Sequence, residues 1–291
     1  MKMLSALLIA LFASIGSSAW AECTIAADPV ASTAQAYDPF SATPTQIVFE
    51  VAVKGTGDAG CPADIVLKPV NGTTRLVGPG GIMNYSFISP TGLTSGSTIG
   101  PVGIVVPLND RATTSFIAEI PAGSVVSPGD YSADITVSIL VNGVPAVQDR
   151  VVTLKAIVRA RAQMSISGTS APGRGSIGMA PPAVSFGTLE TGEDRTVFVN
   201  VWANSSVRVR LSSLNGGVLK HDELASLPSV PYTVEFDHSA PQTLASAIAI
   251  ARPPPMSMAG ASYPLVLTIG NVAGRFAGHY TDEITVSVDE N

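Results

Sequence analysis

The hydrophobic pattern of this chain has period two along most of its length, and one stretch of it occurs twice. Gly278 to Val288 reads GHYTDEITVSV, and Gly129 to Ile139 reads GDYSADITVSI, at a constant offset of 149 residues. Repetition on this scale means two copies of one β-domain rather than a short-period solenoid. The first copy runs on into another alternating segment, whereas the second is followed by three residues. On this reading the second copy is a sheet short of its last strand, a defect that calls for a partner chain.

The segment between the copies carries the longest alternation. Val152, Leu154, Ala156, Val158, Ala160, Ala162, Met164 and Ile166 fall on one face, with Thr153, Lys155, Arg159, Arg161, Gln163 and Ser165 on the other. At about 3.3 Å per residue this is too long for one ordinary strand. It predicts two strands joined by a bend, the first closing domain one and the second opening domain two. Domain one would then have a final strand in cis, although a strand taken from a partner stays open.

Other strands are predicted at Ile47–Val53, Ile65–Leu67, Asn84–Ile88, Gly103–Leu108 and Ser115–Ile120 in the first half. Asn71-Gly72 is a hairpin signal, and Tyr85 and Phe87 share a face. Residues 92–103 and 169–182, rich in Gly, Ser, Thr or Pro, read as loops. In the second half the strands are Val184–Gly187, Thr196–Trp202, Val207–Leu211, Tyr232–Phe236, Tyr263–Ile269 and the repeat up to Val288. A turn near His221 to Leu227 is the nearest thing to a helix. The fold class is all-β: two immunoglobulin-like β-sandwich domains in tandem, at 22–158 and 159–291, the second lacking its last strand.

Composition narrows the setting. Lys2, the apolar run Leu4–Ile15 and the small-x-small triplet Ala19-Trp20-Ala21 predict a signal peptide over 1–21, and hence export. The two cysteines, Cys23 and Cys61, are expected to form one disulfide in an exported protein. A net charge of −6 argues against nucleic acid or an anionic membrane as partner. Nucleophile, zinc-protease and phosphate-loop motifs are absent. His221 beside Asp222, and His238 beside Asp237, point to opposite faces of any strand. The expectation is therefore no enzyme, no cofactor and no metal cluster, with a calcium site between loops left open. Asn71, Asn84 and Asn204 begin Asn-x-Ser/Thr sequences that matter only in a glycosylating pathway.

Several short motifs together resemble the spore coat protein U family, the pilin of archaic (Csu-type) chaperone–usher pili. They are Val184-Ser185-Phe186-Gly187, Val230-Pro231-Tyr232-Thr233-Val234, Ile120-Pro121-Ala122-Gly123 followed by Gly129-Asp130-Tyr131, and the closing Gly278–Val288 pattern. The resemblance implies sandwiches missing their last strand. A periplasmic chaperone fills the gap first, and the donor strand of a neighbouring pilin then replaces it at an outer-membrane usher. The duplication resembles the two-domain tip adhesin of such pili, and the predicted mature start at Glu22-Cys23 leaves no donor segment. Domain two lacks the family's cysteine pair, and Trp202 falls where a cysteine is expected.

On this resemblance Ile284, Val286 and Val288 flank the chaperone and donor-strand groove, the alternative being an ordinary interior strand. The candidate surface-binding loops carry Val77, Ile82, Met83, Leu93, Ile99 and Val102. Apolar loops suit attachment to an abiotic or host surface, unless these side chains fold back into the core. The expected function is a fimbrial tip adhesin exported through the periplasm to the cell surface and serving biofilm formation. The alternative is a secreted structural coat or matrix protein without an usher.

Overall fold

In the computed structural model the residues described are 24–30, 33–56, 63–88, 98–100, 103–107, 113–168, 183–224 and 226–290. Residues 1–21, where a signal peptide is expected, residues 169–182, where a loop is expected, and Cys23, Cys61, Leu93 and Val102 lie outside them.

Among the described residues all regular structure is β, arranged as two sandwiches in chain order. The first holds β1 (Thr24–Val30), β2 (Gln35–Tyr37), β3 (Thr45–Thr56), β4 (Ala63–Pro69), β5 (Arg75–Gly78), β6 (Gly81–Asn84) and β7 (Ser86–Ile88). It continues with β8 (Thr98–Gly100), β9 (Gly103–Pro107), β10 (Thr113–Ile120), β11 (Gly129–Val141), β12 (Val144–Pro145) and β13 (Arg150–Val158). One sheet runs β1-β3-β10-β7, and the other β2-β13-β11-β4-β9-β8. The second sandwich holds β14 (Ala162–Ser167), β15 (Asp194–Ala203), β16 (Val207–Ser213), β17 (Val218–His221) and β18 (Val230–Phe236). Its remaining strands are β19 (Ile248–Arg252), β20 (Ala261–Ile269), β21 (Tyr280–Thr281) and β22 (Ile284–Glu290). Its sheets run β14-β15-β20-β18-β17-β21 and β19-β16-β22.

Each sandwich has its own core, built as the period-two pattern dictates. Phe49 stacks on Phe116, with ring centroids 5.5 Å apart, between β3 and β10. Val197, Val199 and Val201 of β15 share the inner face of one sheet with Leu265 and Leu267 of β20 and Val234 and Phe236 of β18. The long alternation between the repeats divides as expected. β13 belongs to the first sandwich and β14 to the second, with the bend at 159–161.

Three local expectations change. Asn71-Gly72 does make a tight turn (Gly72 N–H to Pro69 carbonyl, 3.0 Å). The strands flanking it do not pair, because β4 already has β11 on one edge and β9 on the other. The chain therefore resumes as β5 further along β11, with Val77 opposite Ser132. Val184–Gly187 is not a strand: Gly187 turns the chain at positive φ (68°), while Val184 and Phe186 still pack on the core. Part of the expected loop at 92–103 is ordered as β8, paired with β9.

The repeat is real at atomic level. Tyr131 donates its hydroxyl to the Ser127 carbonyl (2.9 Å), and Tyr280 donates its own to the Phe276 carbonyl (3.1 Å), four residues upstream in both cases. Gly129 and Gly278 precede them at φ of 142° and 152°. This is the tyrosine corner that opens the penultimate strand of an immunoglobulin-like sandwich. It identifies Gly129–Val141 and Gly278–Glu290 as the same strand in the two copies.

Burial also sets a pH limit. Burial pushes the Tyr85 phenol up to about 12 and raises Tyr131, Tyr232 and Tyr263 as well. Unfolded tyrosines ionise near about pH 10. The stabilisation is therefore fully present below pH 10 and is lost as pH climbs from there through the folded values. We expect β-sheet circular dichroism to collapse above about pH 10 together with phenolate absorbance. Phenolate formation in a chain that keeps its β signal would contradict this.

Candidate functional site

The two copies of the repeated strand have different neighbours. β11 is paired along one edge with β4 and along the other with β13, whose far edge is covered by β2 running parallel to it. The first sandwich is thus closed by its own strand, which resolves the question left open by the sequence. β22 pairs with β16 through Val207↔Glu290 to Ser213↔Ile284. Its other edge has no ladder partner among the described residues. β14 lies close by across the opening without pairing to it. Among the described residues the second sandwich has no counterpart of the strand that closes the first.

The burial of equivalent residues follows. Ile135, Val137 and Ile139 on β11 are 0, 1 and 0% exposed. Their counterparts Ile284, Val286 and Val288 on β22 point inward onto the second core yet are only half-buried. Beside them opens a groove of about 650 Å3. Its floor is Val197, Leu265, Leu267 and Ile269. Ile166, Val184, Phe186 and Leu189 form one side, and Gly278 to Ile284 with Val286 form the other. That second wall spans residues 278–286, and subtracting the repeat offset gives 129–137, the residues of β11 that pair with β13. The groove thus occupies the position that β13 fills in the first sandwich. Ile284 and Val286 line it directly, while Val288 lies beyond its end.

One polar cluster interrupts the apolar lining. Asp282 sits between β21 and β22, and its Oδ2 accepts from Tyr232 OH (2.6 Å) and Ser213 Oγ (2.5 Å). Its Oδ1 accepts from the backbone N–H groups of Asn215 (2.9 Å) and Glu283 (2.8 Å). Tyr232 is held neutral, raised first by burial and then by this carboxylate. At the same end His221 is a structural residue. Its Nδ1 accepts from the N–H groups of Glu223 and Leu224 (3.2 Å each), which leaves Nε2 to face the Ala277 carbonyl at 3.4 Å. Gly278 lies so close to this ring that a Cβ there would overlap it. His238 is exposed and stands 3.9 Å from Glu235. The two histidines are therefore in separate settings. Among the described residues no cluster of three or more His, Cys, Asp or Glu could hold a metal ion, and no helix is long and apolar enough to cross a membrane.

The apolar loop candidates separate. Val77 and Ile82 oppose each other on the β5–β6 hairpin and are exposed, at 57% and 48%. Met83 is fully buried beside Leu76, because the hairpin's period two turns that face into the core. Met83 is thus a core residue and not part of a binding surface. The hairpin tip is tied back to the tyrosine corner. Gly80 N–H bonds to Tyr131 OH (3.1 Å) and the glycine abuts Ser127, at the end of the sandwich that faces the second one. Ile99 falls in β8.

Sequence reasoning missed Asn204, seen there only as the start of an Asn-x-Ser sequence. It is fully buried. Its Nδ2 donates to the carbonyls of Val126 (3.1 Å) and Arg159 (3.0 Å), and its Oδ1 accepts from Arg161 N–H (2.8 Å). One side chain thus ties the β15–β16 turn to the bend and to the first sandwich. A salt bridge from Arg161 to Asp38 (2.8 Å) lies beside it. No local pattern announces such a residue, because all three partners are distant in sequence. Trp202, on the opposite face of β15 from Val201 and Ala203, is buried with Gly260 against its indole.

No family model and no curated protein matches the sequence. Among solved structures, the chain is similar to one of the CsuC–CsuE chaperone–tip adhesion subunit pre-assembly complex from the archaic Csu pili of Acinetobacter baumannii. That match has 14% identity and a TM-score of 0.49, over 91% of this chain and 100% of the other. It is also similar to the CupB6 tip adhesin of Pseudomonas aeruginosa, with 10% identity and a TM-score of 0.36 over 92% and 93% of the two chains. A third likeness is to the self-complemented major subunit MyfA of Yersinia enterocolitica Myf fimbriae, with 12% identity and a TM-score of 0.35, over 46% of this chain and 98% of the other. At these identities the likenesses concern the fold and transfer no residue's role.

Proposed function

We propose that the chain is a fimbrial subunit assembled by strand donation, with residues 159–291 as the strand-accepting unit and residues 22–158 as an adhesive unit. The observation that carries this reading is the contrast between β11 and β22. Among the described residues the same strand is paired on both edges in one copy and on one edge in the other, and Ile284, Val286 and Val288 stay half-buried where their counterparts are sealed. An unpaired edge above an apolar groove is a template for an added strand. A periplasmic chaperone fills it during export, and a neighbouring subunit's donor strand replaces the chaperone at the outer-membrane usher. The first sandwich needs no donor, which suits a unit standing at the fibre tip and meeting an abiotic or host surface.

The test is co-expression with a periplasmic pilus chaperone. The expected result is a one-to-one complex in which the backbone amides of β22 are protected from hydrogen exchange, whereas the chain without it aggregates. A lone chain that is a soluble monomer, unfolds cooperatively and already protects both edges of β22 would overturn the proposal.

A further inference from the structure

The first sandwich supplies a template for what the groove accepts, and one residue departs from it. β13 runs antiparallel to β11 with Val152 opposite Ile135, Leu154 opposite Ala133 and Ala156 opposite Tyr131. All three β13 side chains are buried. Carried across by the repeat, an entering strand would set the residues equivalent to Val152 and Ala156 against Ile284 and Tyr280. Its centre, the position of Leu154, meets Asp282 where the first sandwich has Ala133.

That exchange changes the chemistry of the central contact. Directly opposed side chains on one face of an antiparallel pair have Cβ atoms about 4.5–5.5 Å apart and share one space. Ala133 leaves that space to Leu154. Asp282 takes part of it and brings a carboxylate whose four hydrogen-bond donors, from Tyr232, Ser213, Asn215 and Glu283, are all uncharged. A leucine laid over it would strip the remaining water from an anion and offer nothing in return. A small hydroxyl-bearing residue would fit the reduced space and set a polar rather than an apolar surface over a carboxylate whose own four bonds it leaves in place.

Resting on the reading of the groove as a strand acceptor, we propose that Asp282 is a specificity-determining residue. It selects an antiparallel apolar strand with serine or threonine at its centre, flanked at two-residue spacing by aliphatic side chains. Asp282 thereby also discriminates against the chain's own β13, whose centre is Leu154, so that one subunit's closing strand is a poor occupant of another subunit's groove.

The test uses two labelled peptides of residues 150–158, one native and one carrying Leu154→Ser, titrated into the full exported chain. The serine peptide is expected to bind about ten-fold more tightly, the scale of one poorly solvated polar contact. Asp282→Asn, which keeps the size and removes the charge, should shrink that ratio to about three-fold or less. Equal or tighter binding of the leucine peptide to the unaltered chain would overturn the specificity proposal and leave the groove reading standing. Binding of neither peptide would overturn both.

Discussion

Joining a copy of residues 143–158 after Asn291, with serine at the Leu154 position, is expected to raise the melting temperature of the second sandwich by about 6–12 °C. The design follows the repeat. Glu290 and Asn291 are the counterparts of Val141 and Asn142, and in the first sandwich Asn142 and Gly143 turn the chain at φ of 51° and 77° into β12 and then β13. The appended segment therefore brings the native turn as well as the closing strand. Completing the burial of Ile284, Val286 and Val288 contributes about 1 kcal/mol apiece. A total near 3 kcal/mol corresponds to that rise at about 2–4 °C per kcal/mol. The backbone of β22 gains a ladder on its free edge, which removes the surface most prone to pairing with other chains. Scanning calorimetry checks the shift, with aspartate at the Val152 and Ala156 positions of the added copy as the control. A rise that survives the aspartates would show that the extension acts without entering the groove.

Leu154→Ala in the native β13 is expected to cost the first sandwich about 2–5 kcal/mol and to leave the second unchanged. Leu154 is fully buried between β11 and the facing sheet, and its removal leaves a cavity in the core that holds Ile135 and Tyr131. The two cores share no buried residue, so the effects of distant substitutions should not couple. Hydrogen exchange resolves the two: β11 amides should lose protection while those of β16 and β20 keep it. Equal loss in both sandwiches would mean that the Asn204 tie at the bend makes them one cooperative unit.

Much of this fold was legible in the chain because period two is a local signal. The strands at 47–53, 115–120, 131–139, 196–202, 207–211, 232–236 and 263–269 are all present, with ends moved by a few residues. Tyr85 and Phe87 share a face as expected and meet edge to face at 5.4 Å. What local pattern could not carry was which strand lies beside which. Asn71-Gly72 makes its turn, yet β4 and β5 do not pair, because β4 was already flanked on both sides. Met83 looked like part of an apolar loop, but its neighbour across the hairpin, Leu76, lies in the core and takes Met83 with it.

The sequence by itself determined two copies of a β-sandwich, the phase of their strands and the shared face of Ile284, Val286 and Val288. Side-chain alternation and turn chemistry need only near neighbours, and two copies of one pattern announce themselves. Tertiary structure alone decided between β13 and a partner's strand as the closure of the first sandwich, and placed the groove of the second, among the described residues, along residues 278–286. It alone set Asp282 among Tyr232, Ser213 and Asn215, and Asn204 between Val126 and Arg159. The polar ties among them join atoms from about 45 to 80 residues apart, and the strand pairings are fixed by the competition of whole strands for a limited number of edges.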